Sequence, residues 1–198
     1  MKSRFRADCL NTLQNLPKQT ALHRNKMINR ALRFELFGKK IKTILLYWSI
    51  DSEPDLRDLL FWLRRRGVEV YLPFMEGESF KMVPFRYPMR KKRFNIYESG
   101  NTYRDINKID LAIVPVVGVD NIMRRIGFGK GMYDRFFERL IDKPEIIFVQ
   151  SKPCISTIPL CQNHDISTDL LITPYSSYKA ARKSYAVRNS IRRRNSRC

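Results

Sequence analysis

The chain has little from which to build a metal cage or a disulfide framework. Of 198 residues, two are histidine (His23, His164) and four are cysteine (Cys9, Cys154, Cys161, Cys198), and no C-x-x-C occurs. That scarcity argues against a structural zinc site, and free thiols in a reducing, cytoplasmic setting are the simplest expectation. No apolar run approaches the ~20 residues of a membrane-spanning helix, so no membrane partner is expected. The opening MKSRFRADCL is basic but has no apolar stretch of the kind a secretory signal needs. Acidic residues are also scarce, 19 against 38 Lys+Arg, for a formal net charge of +19. This excess predicts anionic partners such as phosphates, polyglutamates or nucleic acid. Eight of the basic residues fall between Ser176 and Cys198, where no acidic residue stands. What is present excludes a disordered chain: 43% of residues are hydrophobic and 12% aromatic, and a chain of this length buries about 70% of its extended surface.

Residues 2–36 read as two helices broken around Leu16-Pro17, the second with Leu22, Met27, Ile28, Ala31, Leu32 and Leu36 at helical spacing. Ile41–Trp48 reads as a buried strand, and Glu53–Arg66 as a helix stopped by Gly67. Val68–Leu72 reads as a strand closed by Pro73, Ser79–Phe85 as extended, and Tyr87–Tyr103 as irregular, with Arg90 to Arg93 all basic. Leu111–Val117, Glu145–Gln150 and Leu170–Thr173 are further strands, and Gly129–Leu140 is a helix. Alternating strands and helices predict an α/β domain, residues 1–174, with a mostly parallel central sheet. The segment 175–198 reads as a basic tail, either solvated or forming a short helix around Val187 and Ile191.

Chemistry concentrates in Arg124–Arg135, RRIGFGKGMYDR. Gly127, Gly129 and Gly131 alternate between a strand–loop and a helix start. Glycine lets backbone amides approach an anion, and the helix dipole favours it. Arg125 and Lys130 add cations suited to phosphate. Asp134 stands in the first turn, where a carboxylate beside phosphate makes a natural Mg²⁺ ligand. The spacing matches neither a Walker A loop nor a dinucleotide fingerprint.

The string R-x-G-x-G-x-G-x-Y-D-R, carried by Arg125, Gly127, Gly129, Gly131, Tyr133, Asp134 and Arg135, resembles the signature of 5-formyltetrahydrofolate cyclo-ligases, also called methenyltetrahydrofolate synthetases. Met132 replaces the first of the family's two tyrosines. The preceding D-x-x-G-x-R pattern is met by Asp120 and Arg125, with Met123 where glycine is expected. Lys2 and Arg6 match a Lys and an Arg four residues apart on the first helix, a spacing that shares one face. Glu53-Pro54-Asp55 follows the first strand. Ile96, Tyr97 and Glu98 match I-x-E-P, with Ser99 for proline, and Asp110–Pro115 matches D-L-x-x-V-P. Pro159, His164, Asp165, Asp169 and Thr173 match the last motif, with one extra residue before the histidine. Singly, Lys2 and Arg6 read as solvated cations and Glu53 as an early-turn carboxylate; the ordered set is what carries the resemblance.

The resemblance implies a three-layer, Rossmann-like fold. It also implies ATP- and Mg²⁺-dependent cyclisation of 5-formyltetrahydrofolate to 5,10-methenyltetrahydrofolate with release of ADP and phosphate, by a monomer. By position, ATP falls to Lys2, Arg6, Arg125, Gly127, Phe128, Gly129, Lys130, Gly131, Met132, Tyr133 and Asp134. Lys2, Arg125 and Asp134 are the expected catalytic residues, and Asp134 and Asp165 the expected Mg²⁺ ligands. Glu53, Trp48, Met82 and Tyr133 are the expected folate contacts, with Tyr47 and Phe74 as further apolar walls. The alternatives are another ATP-using enzyme on this scaffold or a nucleic-acid-binding module. The second does not account for the glycine loop before Asp134. Nucleic acid is otherwise expected only as weak polyanion binding through the tail.

Overall fold

The structure, a computed structural model, describes residues 1–92, 97–104, 106–180 and the backbone of 186–189. The helices are α1 (Lys2–Gln14), α2 (Ala21–Leu36), α3 (Arg57–Arg65) and α4 (Met132–Arg139), with a short 3-10 turn at Lys18–Thr20. The strands are β1 (Thr43–Leu45), β2 (Glu69–Glu76), β3 (Ser79–Pro84), β4 (Arg90–Lys91), β5 (Tyr97–Glu98), β6 (Leu111–Pro115), β7 (Gly118–Val119), β8 (Arg125–Ile126), β9 (Glu145–Val149), β10 (Leu170–Ile172), β11 (Ser176–Lys179) and β12 (Ala186–Asn189). One eight-stranded sheet runs β12-β11-β10-β9-β6-β1-β2-β3; β4–β5 and β7–β8 are separate ribbons. From β10 through β9, β6 and β1 to β2 all pairings are parallel, and both margins are antiparallel.

Parallel strands covered on both faces read as continuous apolar runs, and here the two faces divide cleanly. Ile44, Leu46, Val70, Leu72, Ile113 and Val149 pack with Ile28, Leu32, Leu59 and Leu63 of α2 and α3. Leu45, Tyr71, Ala112, Val114 and Phe148 pack with Phe136 and Phe137 of α4. α1 stands apart on a small cluster of Cys9, Leu13 and Val117.

Several elements differ from the sequence reading. The β2 strand passes through Pro73 rather than stopping at it. Val70 accepts a bond from Phe85 on the β3 side, while Tyr71 accepts one from Leu46 on the β1 side. By alternation Pro73 points its missing N–H towards β1, whose pairing ends at Leu45↔Tyr71, so no bond is lost. The α3 helix starts only at Arg57, because residues 50–55 form a turn in which Ile50 N donates to Glu53 Oε2 (3.1 Å) and Arg57 N to Asp55 Oδ1 (3.0 Å). Within the expected tail, Thr173 and Ser176 close a hairpin, residues 176–179 pair with β10 as β11, and residues 186–189 extend the sheet as β12. Residues 186–189 are therefore strand, not a basic helix. Arg93, Ile96, Ile191 and Cys198 lie outside the described residues.

The expectation of free thiols fails at one pair: Cys9 and Cys154 form a disulfide. They stand 145 residues apart in sequence, a distance that leaves no spacing signal to read. Cys161 remains a free thiol.

Candidate active site

Sheet order reverses between β1 and β6, and in open α/β sheets the crevice beyond the carboxyl ends of strands at such a switch is where ligands bind. Tyr47 and Trp48 follow β1 into that crevice and, with Glu53, Met75, Phe80, Met132 and Tyr133, line a mostly apolar pocket. Tyr47 is buried and its hydroxyl donates to Pro54 O (2.7 Å), which fixes the turn carrying Glu53. Desolvation pushes the half-buried Glu53 carboxyl up to about 7, opposed by the Ile50 amide and the Arg125 charge.

The glycine loop folds around Arg125. This side chain is 4% exposed. Its Nε donates to Pro115 O (3.2 Å) at the end of β6, its Nη1 donates to Asp134 Oδ2 (3.2 Å), and its guanidinium lies 4.8 Å from the Tyr133 ring centre. A Cβ on Gly127 would sit 2.2 Å from Arg125 Nη1, so any side chain there would have to push the guanidinium off its bonds to Pro115 O and Asp134. Gly129 and Gly131 take φ of 110° and 60°, the left-handed region glycine tolerates. Gly131 caps α4 in that conformation. Arg135 then staples the loop, donating to Glu78 O and to Lys130 O. Lys130 and Gly129 are exposed on the loop's outer side.

α1 docks against this loop. Lys2 Nζ pairs with Asp165 Oδ2 at 2.6 Å, and Arg6 Nε donates to Gly127 O at 2.9 Å. Asp165 is buried; against that desolvation, the Lys2 ammonium and the Gln162 amide hold its carboxyl below the usual range. Asp134 Oδ1 accepts the amide of Ile166 (3.2 Å), the residue after Asp165. The structure thus gathers Lys2, Arg6, Arg125, the glycines, Asp134 and Asp165 at one place, with Phe128 tucked under α1.

Two expected folate contacts lie elsewhere. Met82 is 1% exposed within the core on the α4 side, and Phe74 sits under Lys81; neither lines the pocket. A larger depression of about 650 Å³ beyond α4 shares Asp165 with the site but none of the glycine loop.

Some supporting residues carried no role in the sequence reading. Asp120 is fully buried and accepts the amides of Ile122, Arg124 and Cys161. Glu98 is buried and accepts Met75 N (3.0 Å), tying β5 to the pocket wall. Ser99, in place of the family's proline, accepts Arg86 N and donates to Arg86 O. The D-x-x-G pattern flagged one position in advance. Met123, standing where glycine is expected, has φ 61° and is fully buried. Left-handed backbone at a non-glycine costs about 1–2 kcal/mol, yet the Met side chain fills core volume. Met123→Gly is therefore expected to destabilise by about 2 kcal/mol, since the cavity outweighs the relieved strain. A chemical denaturation midpoint equal to or above wild type would contradict this balance.

Asp134 and Asp165 are hard oxygen donors of the kind Mg²⁺ takes, and Asp134 accepts the amide of Ile166, the residue after Asp165. No cluster of three or more such ligands occurs among the described residues, so phosphate oxygens and water would have to complete the shell. Among the described residues no helix is long and apolar enough to cross a membrane.

A family model described as the 5-formyltetrahydrofolate cyclo-ligase family matches residues 1–174. The 5-formyltetrahydrofolate cyclo-ligase of Haemophilus influenzae is 30% identical over 113 residues, covering 53% of this chain and 60% of that protein. The Escherichia coli K12 enzyme is 33% identical over 101 residues, covering 47% of this chain and 56% of its own. These matches thus span little more than half the length of those relatives. The Mycolicibacterium smegmatis protein of the same name is 27% identical over 195 residues, covering 91% and 97%. The solved structure of Aquifex aeolicus 5,10-methenyltetrahydrofolate synthetase superposes with TM-score 0.76 at 26% identity, covering 96% of this chain and 98% of that one. With its glycine loop, its carboxylates and its fold all in the family's order, this chain belongs to the 5-formyltetrahydrofolate cyclo-ligase family.

Proposed function

We propose that the protein converts 5-formyltetrahydrofolate and ATP to 5,10-methenyltetrahydrofolate, ADP and phosphate. The observation that carries this reading is the meeting of two unlike sites on one helix turn. Met132 and Tyr133 line the apolar, carboxyl-bearing pocket, while Asp134 and the preceding glycines belong to the cationic loop. A flat pterin suits the first and a triphosphate the second.

In this reading the formyl oxygen attacks the γ-phosphorus and ADP leaves; N10 then attacks the activated carbon and gives up its proton, and phosphate departs carrying the former formyl oxygen. Phosphoryl transfer asks the protein mainly for positioning and charge neutralisation. Lys2 and Arg6 approach the phosphates from α1, Lys130 and the loop amides from below. Arg125 sets the loop's shape through Pro115 O and Asp134. Glu53, whose carboxyl titrates near neutrality, offers the formyl or pterin end a proton or an acceptor. Tyr47, Trp48 and Tyr133 exclude water from the reacting centre. Asp134 and Asp165 would hold Mg²⁺, which supplies charge neutralisation at the transferring phosphoryl group.

The test is turnover of 5-formyltetrahydrofolate with Mg-ATP, followed by methenyltetrahydrofolate absorbance and ADP release together. ADP without the folate product would refute it. Lys2→Ala is expected to raise the KM for ATP about tenfold, as loss of one charge-assisted phosphate contact does, with the KM for folate unchanged. An unchanged KM for ATP would return Lys2 to a purely structural partner of Asp165.

A further inference from the structure

α1 is lightly held. Cys9 and Leu13 are its buried residues, and its apolar footing is the small cluster around Val117. Lys2, Arg6, Cys9 and Leu13 lie at i, i+4, i+7 and i+11, one stripe along the helix. The residue that anchors the stripe is therefore in line with the two cations that reach Asp165 and Gly127. Cys9 is bonded to Cys154 with Cα atoms 6.0 Å apart. Cys154 is itself fixed: its amide donates to Gln150 Oε1 (3.1 Å), its carbonyl accepts Val119 N (3.0 Å), and Gln150 Nε2 donates to Val117 O. Gly118 lies against the joint, and a Cβ there would meet Phe5 at 2.9 Å, Cys154 O at 3.0 Å and Cys9 Sγ at 3.4 Å. The sheet's loops thus hold one end of a covalent tie, and the helix bearing Lys2 and Arg6 holds the other.

We propose that the Cys9–Cys154 bond is a redox-governed clamp that sets the position of α1, and with it the grip of Lys2 and Arg6 on the phosphates of ATP. The proposal rests on the ATP-site reading given above. Cys9 is 1% exposed whereas Cys154 is partly exposed, so exchange begins at Cys154. A small-molecule thiolate attacks Cys154 Sγ, forming a mixed disulfide and releasing Cys9 as thiolate. A second thiolate then attacks the small molecule's sulfur, freeing Cys154 and leaving the small-molecule disulfide. Two electrons pass from the small thiols to the protein, and the two cysteine thiolates take up protons. Oxidation by a small-molecule disulfide such as oxidised glutathione runs the same steps backwards. Cys161 does not compete, because burial pushes its thiol up to about 12, leaving almost no thiolate at neutral pH.

The full-length protein is equilibrated with oxidised glutathione or with dithiothreitol, and its cysteine pairing is read by peptide mass spectrometry. The oxidised protein is expected to carry the Cys9–Cys154 peptide pair. On reduction the KM for ATP rises roughly tenfold, the order expected when a site's groups lose their alignment, while the KM for 5-formyltetrahydrofolate stays constant. Amide exchange over residues 2–14 speeds up at the same time, a readout that needs no substrate. The double variant Cys9→Ser with Cys154→Ser matches the reduced form and no longer responds to dithiothreitol. Should that variant fail to fold, the redox comparison on the wild-type chain stands alone. Absence of the peptide pair under oxidised glutathione, or equal ATP KM and equal exchange over 2–14 in both states, overturns the clamp. No folate product in either state, with exchange still redox-dependent, overturns the ATP-site reading instead.

Discussion

Asp134→Asn is expected to abolish turnover and to cost about 3 kcal/mol of stability, because it breaks a buried ion pair and leaves the other charge behind. Both carboxylate oxygens of Asp134 are in use: Oδ2 takes Arg125 Nη1 and Oδ1 the Ile166 amide. An asparagine must turn its NH₂ towards one of those donors, so one contact becomes donor against donor. Arg125, 4% exposed, is then a buried cation without its counter-charge, and the loop that Gly127 closes around it loses its template. Replacing both partners, Arg125→Met with Asp134→Leu, removes the stranded charge and should recover part of the stability without restoring activity. Thermal unfolding of the single and double variants separates the structural loss from the catalytic one. A single variant as stable as wild type, with near-normal turnover, would show that the pair neither holds the loop nor serves the chemistry.

The second large effect is a pH-dependent one at Glu53. Its carboxyl titrates near 7 in the folded protein, raised by desolvation, so the native state binds this proton more tightly than the unfolded chain does. The stabilisation is complete below the ordinary carboxyl pKa and is lost as pH rises through about 7. A shift of this size corresponds to about 3 kcal/mol at full burial. Glu53 is partly exposed on the pocket lining, where water screens part of the field, and about 2 kcal/mol is the expected effect. Glu53→Gln cannot ionise, so it should match wild type near pH 4.5 and exceed it by that amount at pH 8. At the same time it should weaken 5-formyltetrahydrofolate binding while leaving the ATP dissociation constant unchanged. A pH-independent stability difference, or equal losses for both ligands, would place Glu53 in the turn's architecture alone.

The two variants also mark what could and could not be read from the chain. Residue types and their order were legible: apolar runs became β1, β2, β6, β9 and β10, and Lys2, Arg6, the glycines, Asp134 and Asp165 converge as the motif order implies. Direction was not legible. Arg125 was read as a phosphate cation, yet its guanidinium turns inward to Pro115 O and Asp134, because a buried carboxylate and a strand-end carbonyl outcompete water for it once Gly127 leaves room. Met82 shares a β3 face with Phe80, which lines the pocket, yet stands two residues further along the strand and packs wholly into the core; how far a pocket reaches along a strand face is not written in the strand's own sequence. Local composition also gave no sign of the strands at residues 176–179 and 186–189. A polar, basic stretch cannot bury much, but the open margin of β10 offers backbone bonds that ask nothing of side chains. The Cys9–Cys154 bond joins distant parts of the chain and was invisible for that reason.

The first turn of α4 has a mechanical consequence of its own. Tyr133 faces the pocket, Asp134 grips Arg125, and Arg135 reaches the β2–β3 turn at Glu78. Consecutive residues of one helical turn share their backbone bonds and cannot be displaced singly. Any shift of the aromatic wall is therefore also a shift of the loop's clasp and of the hairpin beside it. Two ligands touching opposite sides of that turn act on one lever, and by thermodynamic reciprocity whatever one occupant does to the affinity of the other is returned in equal measure.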